Sequence, residues 1–342
     1  MQNVRLGKQT ISFAVPPVLV GHAAVVGRRE GEGPLAASFD LINTDSYWGE
    51  ASWEKAESAM QKAAFATACD KAGVAPSGVD MLFAGDLLNQ CISSTFGSRD
   101  SDIPFWGLFG ACSTMGESLC LAAMSIAGGF ADVAAAVTSS HFCAAERQFR
   151  FPLEYGSQRT ATSQWTVTGA GATILSAAGT ATETPNPAIT HITPGKIVDA
   201  GITDADNMGA AMAPAAYETI RQHLADTGRA ANDYDLILSG DLGAMGHAVV
   251  LDFFKRDGVP LRNYNDCGLM IYDRQKQKTD AGASGCGCAA VVLNGYILNG
   301  MRRGKWNRVL FCPTGALMSP VSSQQGESIP GICHAVAISM IG

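Results

Sequence analysis

The run Val79-Asp80-Met81-Leu82-Phe83-Ala84-Gly85-Asp86-Leu87 has a counterpart in Tyr234-Asp235-Leu236-Ile237-Leu238-Ser239-Gly240-Asp241-Leu242. Both are short apolar stretches ending in Gly-Asp-Leu, the pattern of a buried strand entering a tight turn. Each follows a helical pattern closed by glycine. Trp53 to Ala72 has Ser52 as its cap and Gly73 as its stop; Pro214 to Thr227 has Pro214 suited to a first turn and Gly228 as its stop. The echo continues downstream. Gly110-Ala111-Cys112-Ser113 opens a small-residue helix to about Ala127, and Ala283-Ser284-Gly285-Cys286 opens another to about Met301. These lead to strands Val133 to Thr138 and Val309 to Pro313, and the halves close on glycine-containing strands, Thr168 to Leu175 and Gly331 to Met340. Matched order over so many elements predicts a duplicated α/β unit. The halves are residues 1–182 and 183–342, joined near the Pro-rich polar stretch Thr182 to Pro187.

Composition agrees with buried parallel strands and tight turns. Of 342 residues, 47% are hydrophobic, only 16% are charged, and 38 are glycine. The net charge is −7, and basic runs stop at pairs such as Arg28-Arg29 and Arg302-Arg303. Nucleic acid is therefore not an expected partner, because phosphate binding needs a basic face. Met1 to Thr10 is polar, with no signal-peptide pattern, and no apolar run approaches the roughly 20 residues that span a bilayer. Of ten cysteines, Cys69, Cys120, Cys143 and Cys312 lie in strongly apolar segments, where a free thiol packs as a small hydrophobe, and the set reads as free thiols of a reducing compartment. Cys286-Gly-Cys288 alone is too sparse for a zinc site, so neither metal nor cofactor is expected.

A duplicated unit with Cys112 opening the central helix of its first half resembles the thiolase superfamily, which includes the β-ketoacyl synthases. Thr168-Gly169-Ala170-Gly171-Ala172 is similar to that fold's Gly-rich last strand of the first half. Longer strings resemble those of the stage V sporulation protein AD family, thiolase-like proteins of spore-forming bacteria. They are Ala84 to Gln90, Leu108 to Thr114, Ala145 to Arg150, Asp266 to Tyr272 and Glu327 to Pro330. The resemblance implies a thiolase-like fold, two duplicated βαβαβαββ-type halves forming a layered αβαβα core. It implies a role in moving dipicolinic acid (pyridine-2,6-dicarboxylate), or its calcium chelate, during sporulation and germination. It implies membrane-protein partners from the same operon, with an intracellular chain held peripherally on the inner spore membrane through them. By the same analogy, a homodimer is expected to pair through Val133 to Thr138.

Cys112 is the candidate nucleophile, since a helix amino terminus favours thiolate and can hold an oxyanion. A buried structural thiol fits the local sequence equally. A condensing enzyme of the superfamily needs a His with an Asn or a second His beside the Cys. At the corresponding turns this chain has Gly240-Asp241-Leu242 and Gly282-Ala283-Ser284. Both partners are thus expected to be absent, and an anion at Asp241 would raise the Cys112 pKa rather than lower it. His141 and His334 are the remaining candidates, each more readily read as a hydrogen-bonded structural His.

A flat dianion needs fixed donors. Arg147 and Arg150 would share a helix face just after Ser140 and His141. They could equally pair with Glu146 or Glu154. Asp86 and Asp241 end equivalent strands, where they would hold turns or meet a cation brought with the ligand. The predicted ligand-binding set is Cys112, Ser113, Ser140, His141, Arg147, Arg150 and Asp241, with Cys112 a vestigial nucleophile. Three readings stay open: a non-catalytic binding protein, a Cys112-dependent acyl-transfer enzyme, and a structural adaptor of the spore membrane.

Overall fold

The computed structural model describes residues 4–149, 159–177 and 185–341. The core strands of the first half are β1 (Val18–Gly27), β2 (Met81–Gly85), β3 (Phe105–Leu108), β4 (Val133–Ser140) and, after the short β5 (Trp165–Thr166), β6 (Gly169–Ser176). Those of the second are β7 (Asn186–Thr193), β8 (Leu236–Gly240), β9 (Tyr264–Asp266), the short β10 (Ala283–Ser284), β11 (Arg308–Ala316) and β12 (Ala335–Ile341). The strand orders are β1-β6-β4-β2-β3 and β7-β12-β11-β8-β9. In each, the first two pairings are antiparallel and the last two parallel. The repeat read from Gly-Asp-Leu is thus a repeat of topology. The two five-strand sets meet where Val18 of β1 pairs with Ala188 of β7.

Six helices matter to the site: α1 (Trp53–Ala72), α2 (Thr114–Ala127), α3 (Phe142–Phe149), α4 (Met208–Thr227), α5 (Gly243–Arg256) and α6 (Cys286–Val291). The last continues through a π-helical stretch, Val292–Ile297, to Arg302. α1 packs on β1, β6 and β4; α4 packs on β11 and α5. α2 touches β2 and β4 on one side and β11 and β12 on the other, with α6 beside it against β1, β4 and β6. The result is a helix–sheet–helix–sheet–helix stack. The buried inner layer is apolar and small, with Met115, Leu119, Ala122 and Ala123 of α2 in one core with Val309, Phe311 and Val336. Small side chains let two sheets close on one helical layer.

The predicted caps form. The Ser52 hydroxyl accepts the Lys55 N–H, and Gly73 ends α1 in the left-handed region. α4, however, begins at Met208 rather than Pro214. Asn207 caps it by accepting the Ala210 N–H, and Pro214 lies inside. Burial of Ala211, Met212, Ala213, Ala215 and Ala216 on that helix offsets the bond Pro214 cannot donate. Val133 to Thr138 is also not available for pairing with another copy, because β4 is hydrogen-bonded on both sides, to β6 and β2. Among the described residues, the open edge of the first sheet is β3. Among the described residues, no helix is long and apolar enough to cross a membrane.

Asp86, at the end of β2, holds its own turn by accepting the N–H groups of Leu88 and Ser94, both at 2.8 Å. Glu57 of α1 is buried near it and accepts the Ser139 hydroxyl at 2.8 Å. Burial first, and then Asp86, push the Glu57 carboxyl well above its ordinary value of 4.5. Folded Glu57 therefore keeps its proton at pH values where the unfolded chain has released it. Its contribution to stability is full below the unfolded value and is lost as pH rises toward the folded one. In thermal melts from about pH 5 to about pH 8, Glu57→Gln should lose less stability with rising pH than wild type. Equal slopes would show Glu57 ionised in the folded chain.

Candidate functional site

The chain enters α2 through a short 3₁₀ turn, Ala111–Ser113. Ala111 takes φ of 50°, a left-handed conformation that disfavours a Cβ. Hydrogen bonds around it hold the turn. The Ser113 hydroxyl donates to the Gly110 carbonyl at 2.7 Å, and the Thr114 hydroxyl donates to the Ala111 carbonyl at 2.6 Å while accepting the Gly110 N–H at 3.1 Å. This presents Cys112, buried to 6% exposure, at the floor of a cavity. Its Sγ accepts the Gly285 N–H at 3.3 Å from the turn that opens α6. A Cβ at Gly285 would lie 2.7 Å from the Ser140 hydroxyl, so only glycine allows this approach.

Asp241 lies behind Cys112. It is fully buried, and among the described residues its carboxyl oxygens accept no backbone or hydroxyl hydrogen bond; they face the thiols of Cys112 and Cys288. The turn that carries it is held instead by Asp266. That carboxylate accepts the N–H groups of Leu242 (2.9 Å), Gly243 (2.9 Å) and Gly268 (3.0 Å) and the Ser239 hydroxyl (2.7 Å). Burial, and then the nearby Asp266, push the Asp241 carboxyl well above the usual carboxylate range. Burial, and then Asp241, push the Cys112 thiol well above its ordinary 9.0, against a smaller opposing effect of the Gly285 N–H. Both shifts favour the protonated forms. Cys112 is a neutral thiol despite its place at a helix entrance.

The cavity above Cys112 has a volume of about 270 Å³. Leu87, Phe109, Phe149, Met208 and Met318 give it apolar and aromatic walls, and Asp204 and Asp206 add two acids. Its other polar wall is built by β5 and β10, which pair in parallel through Trp165↔Ala283 and Thr166↔Ser284. Gln164 locks that wall to the Cys112 neighbourhood, its amide donating to the carbonyls of Asp241 (2.5 Å) and Ala283 (2.9 Å). Glu146 of α3 projects into the wall, accepts the Thr166 hydroxyl at 3.2 Å and forms a buried ion pair with Arg159 at 3.0 Å. Among the described residues, no group of three or more His, Cys, Asp or Glu is placed to hold a metal ion.

The sequence matches the profile described as Stage V sporulation protein AD over residues 7–339. It is 45% identical over 338 residues to stage V sporulation protein AD of Bacillus subtilis (strain 168), covering 98% of each chain. The chain belongs to the stage V sporulation protein AD family. Its architecture is similar to that of thiolase-like enzymes. Cerulenin-bound OleA of Xanthomonas campestris aligns over 96% of this chain and 97% of its own at 15% identity, with a TM-score of 0.60. The 3-oxoacyl-[acyl-carrier-protein] synthase III of Aquifex aeolicus VF5 aligns over 94% and 99% at 12% identity, with a TM-score of 0.56. At such identities the likeness shows a shared thiolase-like fold.

Within this member of the stage V sporulation protein AD family, the residues expected to bind ligand are spread over several environments. Cys112 lines the cavity and Asp241 stands behind it. The Ser113 hydroxyl is turned back onto Gly110, and that of Ser140 donates to the Val167 carbonyl at 2.7 Å and accepts the Gly287 N–H at 3.1 Å. Both brace backbone rather than line the cavity. His141 reaches the Ser46 carbonyl at 2.8 Å, and His334 accepts the Gly195 N–H at 3.2 Å; burial lowers both, His334 to about 4. Arg147 points out of the cavity, ion-paired with Glu54 and lying over Trp53. Arg150 and Glu154 lie outside the described residues. Arg159, Gln164, Thr166 and Gly285 belong to the site without having been expected there. Of these, only Gly285, in the small-residue run Ser284-Gly285-Cys286 of the second repeat, carried a local signal.

Alkylation can check the protonation of Cys112. Iodoacetamide at neutral pH should modify half-buried Cys143 well before Cys112, by about tenfold or more in rate, because only thiolate reacts. Peptide mapping that finds Cys112 labelled first would show a thiolate there.

Proposed function

We propose that this chain is a non-catalytic member of the stage V sporulation protein AD family that binds dipicolinate, or its calcium chelate, in the cavity above Cys112. It then supports movement of that ligand in sporulation and germination, together with membrane proteins of the same operon at the inner spore membrane. The observation that carries the non-catalytic reading is Asp241. A buried acid stands where a condensing enzyme needs a base, and it stabilises the protonated thiol. The cavity itself is open and not filled by side chains, which favours a binding role over a purely structural one. Its flat aromatic walls and small volume suit a one-ring ligand.

Titration calorimetry with dipicolinate, with and without calcium, tests this. Wild type should bind. Ala145→Phe, which fills the cavity from α3, should weaken binding by about tenfold or more, at a packing cost of about 1–3 kcal/mol. Arg147→Ala should bind as wild type does, since Arg147 is engaged outside the cavity. No binding by wild type in either arm would favour the adaptor reading. Acyl thioesters that load Cys112 and turn over would favour the enzyme.

We infer in addition that a second copy pairs along β3. Among the described residues, this strand has β2 as its neighbour on one side and an open edge on the other. Phe105 and Trp106 on it are 37% and 55% exposed, and Phe109, just beyond it, is 44% exposed and lines the cavity. An open edge with large exposed aromatics fits an interface and is otherwise an aggregation hazard. Light scattering at micromolar concentration should give a dimer for wild type and a monomer for Trp106→Lys. A monomeric wild type would overturn the assignment.

A further inference from the structure

The cavity wall contains a carboxylate receptor already in use by the protein. The Glu146 Oε1 sits between the Thr166 hydroxyl at 3.2 Å and the Arg159 guanidinium at 3.0 Å. Arg159 is 9% exposed and Glu146 3%. The guanidinium is fixed from the other directions. Its Nη1 donates to the Gln164 carbonyl at 2.8 Å, and its Cζ lies 4.6 Å from the Trp165 ring and 5.4 Å from that of Phe142. Its Nη2 is buried and in ion-pair contact with Glu146, without an aligned hydrogen bond among the described residues. An oriented, desolvated guanidinium beside a hydroxyl is a strong carboxylate site, suited to a bidentate partner.

We propose that Arg159 and Thr166 form a carboxylate cradle, which Glu146 fills and which a ligand carboxylate takes over by displacing Glu146. This rests on the reading of the cavity as a site for a flat carboxylate. Glu146 and Thr166 line the cavity and Arg159 lies behind them, so a carboxylate that displaces Glu146 meets the guanidinium. Asp204 lines the same space and repels a carboxylate placed near it, which orients the ligand's acid group toward Arg159. Glu146 is then a competitor. Removing its charge strengthens ligand binding, whereas removing that of Arg159 weakens it.

The test uses two probes, dipicolinate and benzoate, titrated into the full chain. Benzoate keeps one carboxylate on a flat ring. Glu146→Gln should bind both about tenfold more tightly, a change of about 1.4 kcal/mol. Glu146→Gln/Arg159→Gln should lose that gain. This double variant strands no unpaired buried charge, and a thermal melt checks its fold. Thr166→Val should weaken binding several-fold. If wild type binds dipicolinate but all four proteins bind each probe equally, the cradle is wrong while the ligand reading stands. If wild type ignores dipicolinate, yet Glu146→Gln takes benzoate and the double variant does not, the cradle stands and the ligand reading fails. No binding of either probe to any protein overturns both.

Discussion

Asp266 is the charge on which the site depends. It sits fully buried at the end of β9 and accepts four hydrogen bonds, three from backbone N–H groups of the turns around Leu242 and Gly268. Burial raises its carboxyl to about 6, and the donors oppose that rise, so at neutral pH it is mainly ionised. Burial first, and then an anion there, make a second anion at Asp241 costly and push its carboxyl up. Ionising Cys112 beside Asp241 in a dry site is costly in turn. Burial together with one well hydrogen-bonded carboxylate thus raises Asp241, a group that Asp266 does not bond. The chemistry of the cavity floor follows from a turn-holding contact in the strand next door.

The two halves reach this point differently, and the duplication makes the difference visible. Asp86 and Asp241 end equivalent strands, and the sequence alone suggests that both hold turns. Asp86 does, through Leu88 and Ser94. Asp241 does not, because Asp266 on the neighbouring strand has taken over the corresponding N–H groups. A repeated motif fixes where a side chain stands, but not which of several nearby carboxylates satisfies the backbone. The repeat, the strand order and the place of Cys112 could be read from the chain because each follows from a local period or a glycine stop. The Asp241–Cys112 pairing was within reach because both sit at ends of predicted elements.

The polar wall was not within reach. It exists only because the two-residue strands Trp165–Thr166 and Ala283–Ser284 pair across the halves, and such short strands carry no periodic signal. Arg147 stands out in the sequence through its spacing from Arg150. Spacing gives a shared helix face but not the direction of that face, and here Arg147 meets Glu54. The same blindness applies to β4. A run of Val133 to Thr138 reads as buried, and burial of a strand says nothing about whether its edge is free. β3, four residues with two exposed aromatics, gives a weaker strand signal and holds the edge.

The Glu146–Arg159 pair bears on how much of the cavity is preorganised. A buried ion pair is weak evidence of stabilisation, since desolvation offsets much of its attraction. What it does provide is position. Trp165 is stacked with Phe142 at 4.1 Å between ring centroids, carries Arg29 at 3.8 Å, and supports Arg159 at 4.6 Å. Gln164, adjacent in sequence, ties the same segment to Asp241 and Ala283. The guanidinium is therefore held by aromatic faces and by backbone, largely independently of Glu146. A partner that left would not release it into solvent. Rigid placement of a cation lowers the ordering cost of any anion that meets it, which is the physical requirement for selecting a small, stiff ligand in a cavity with few other polar groups.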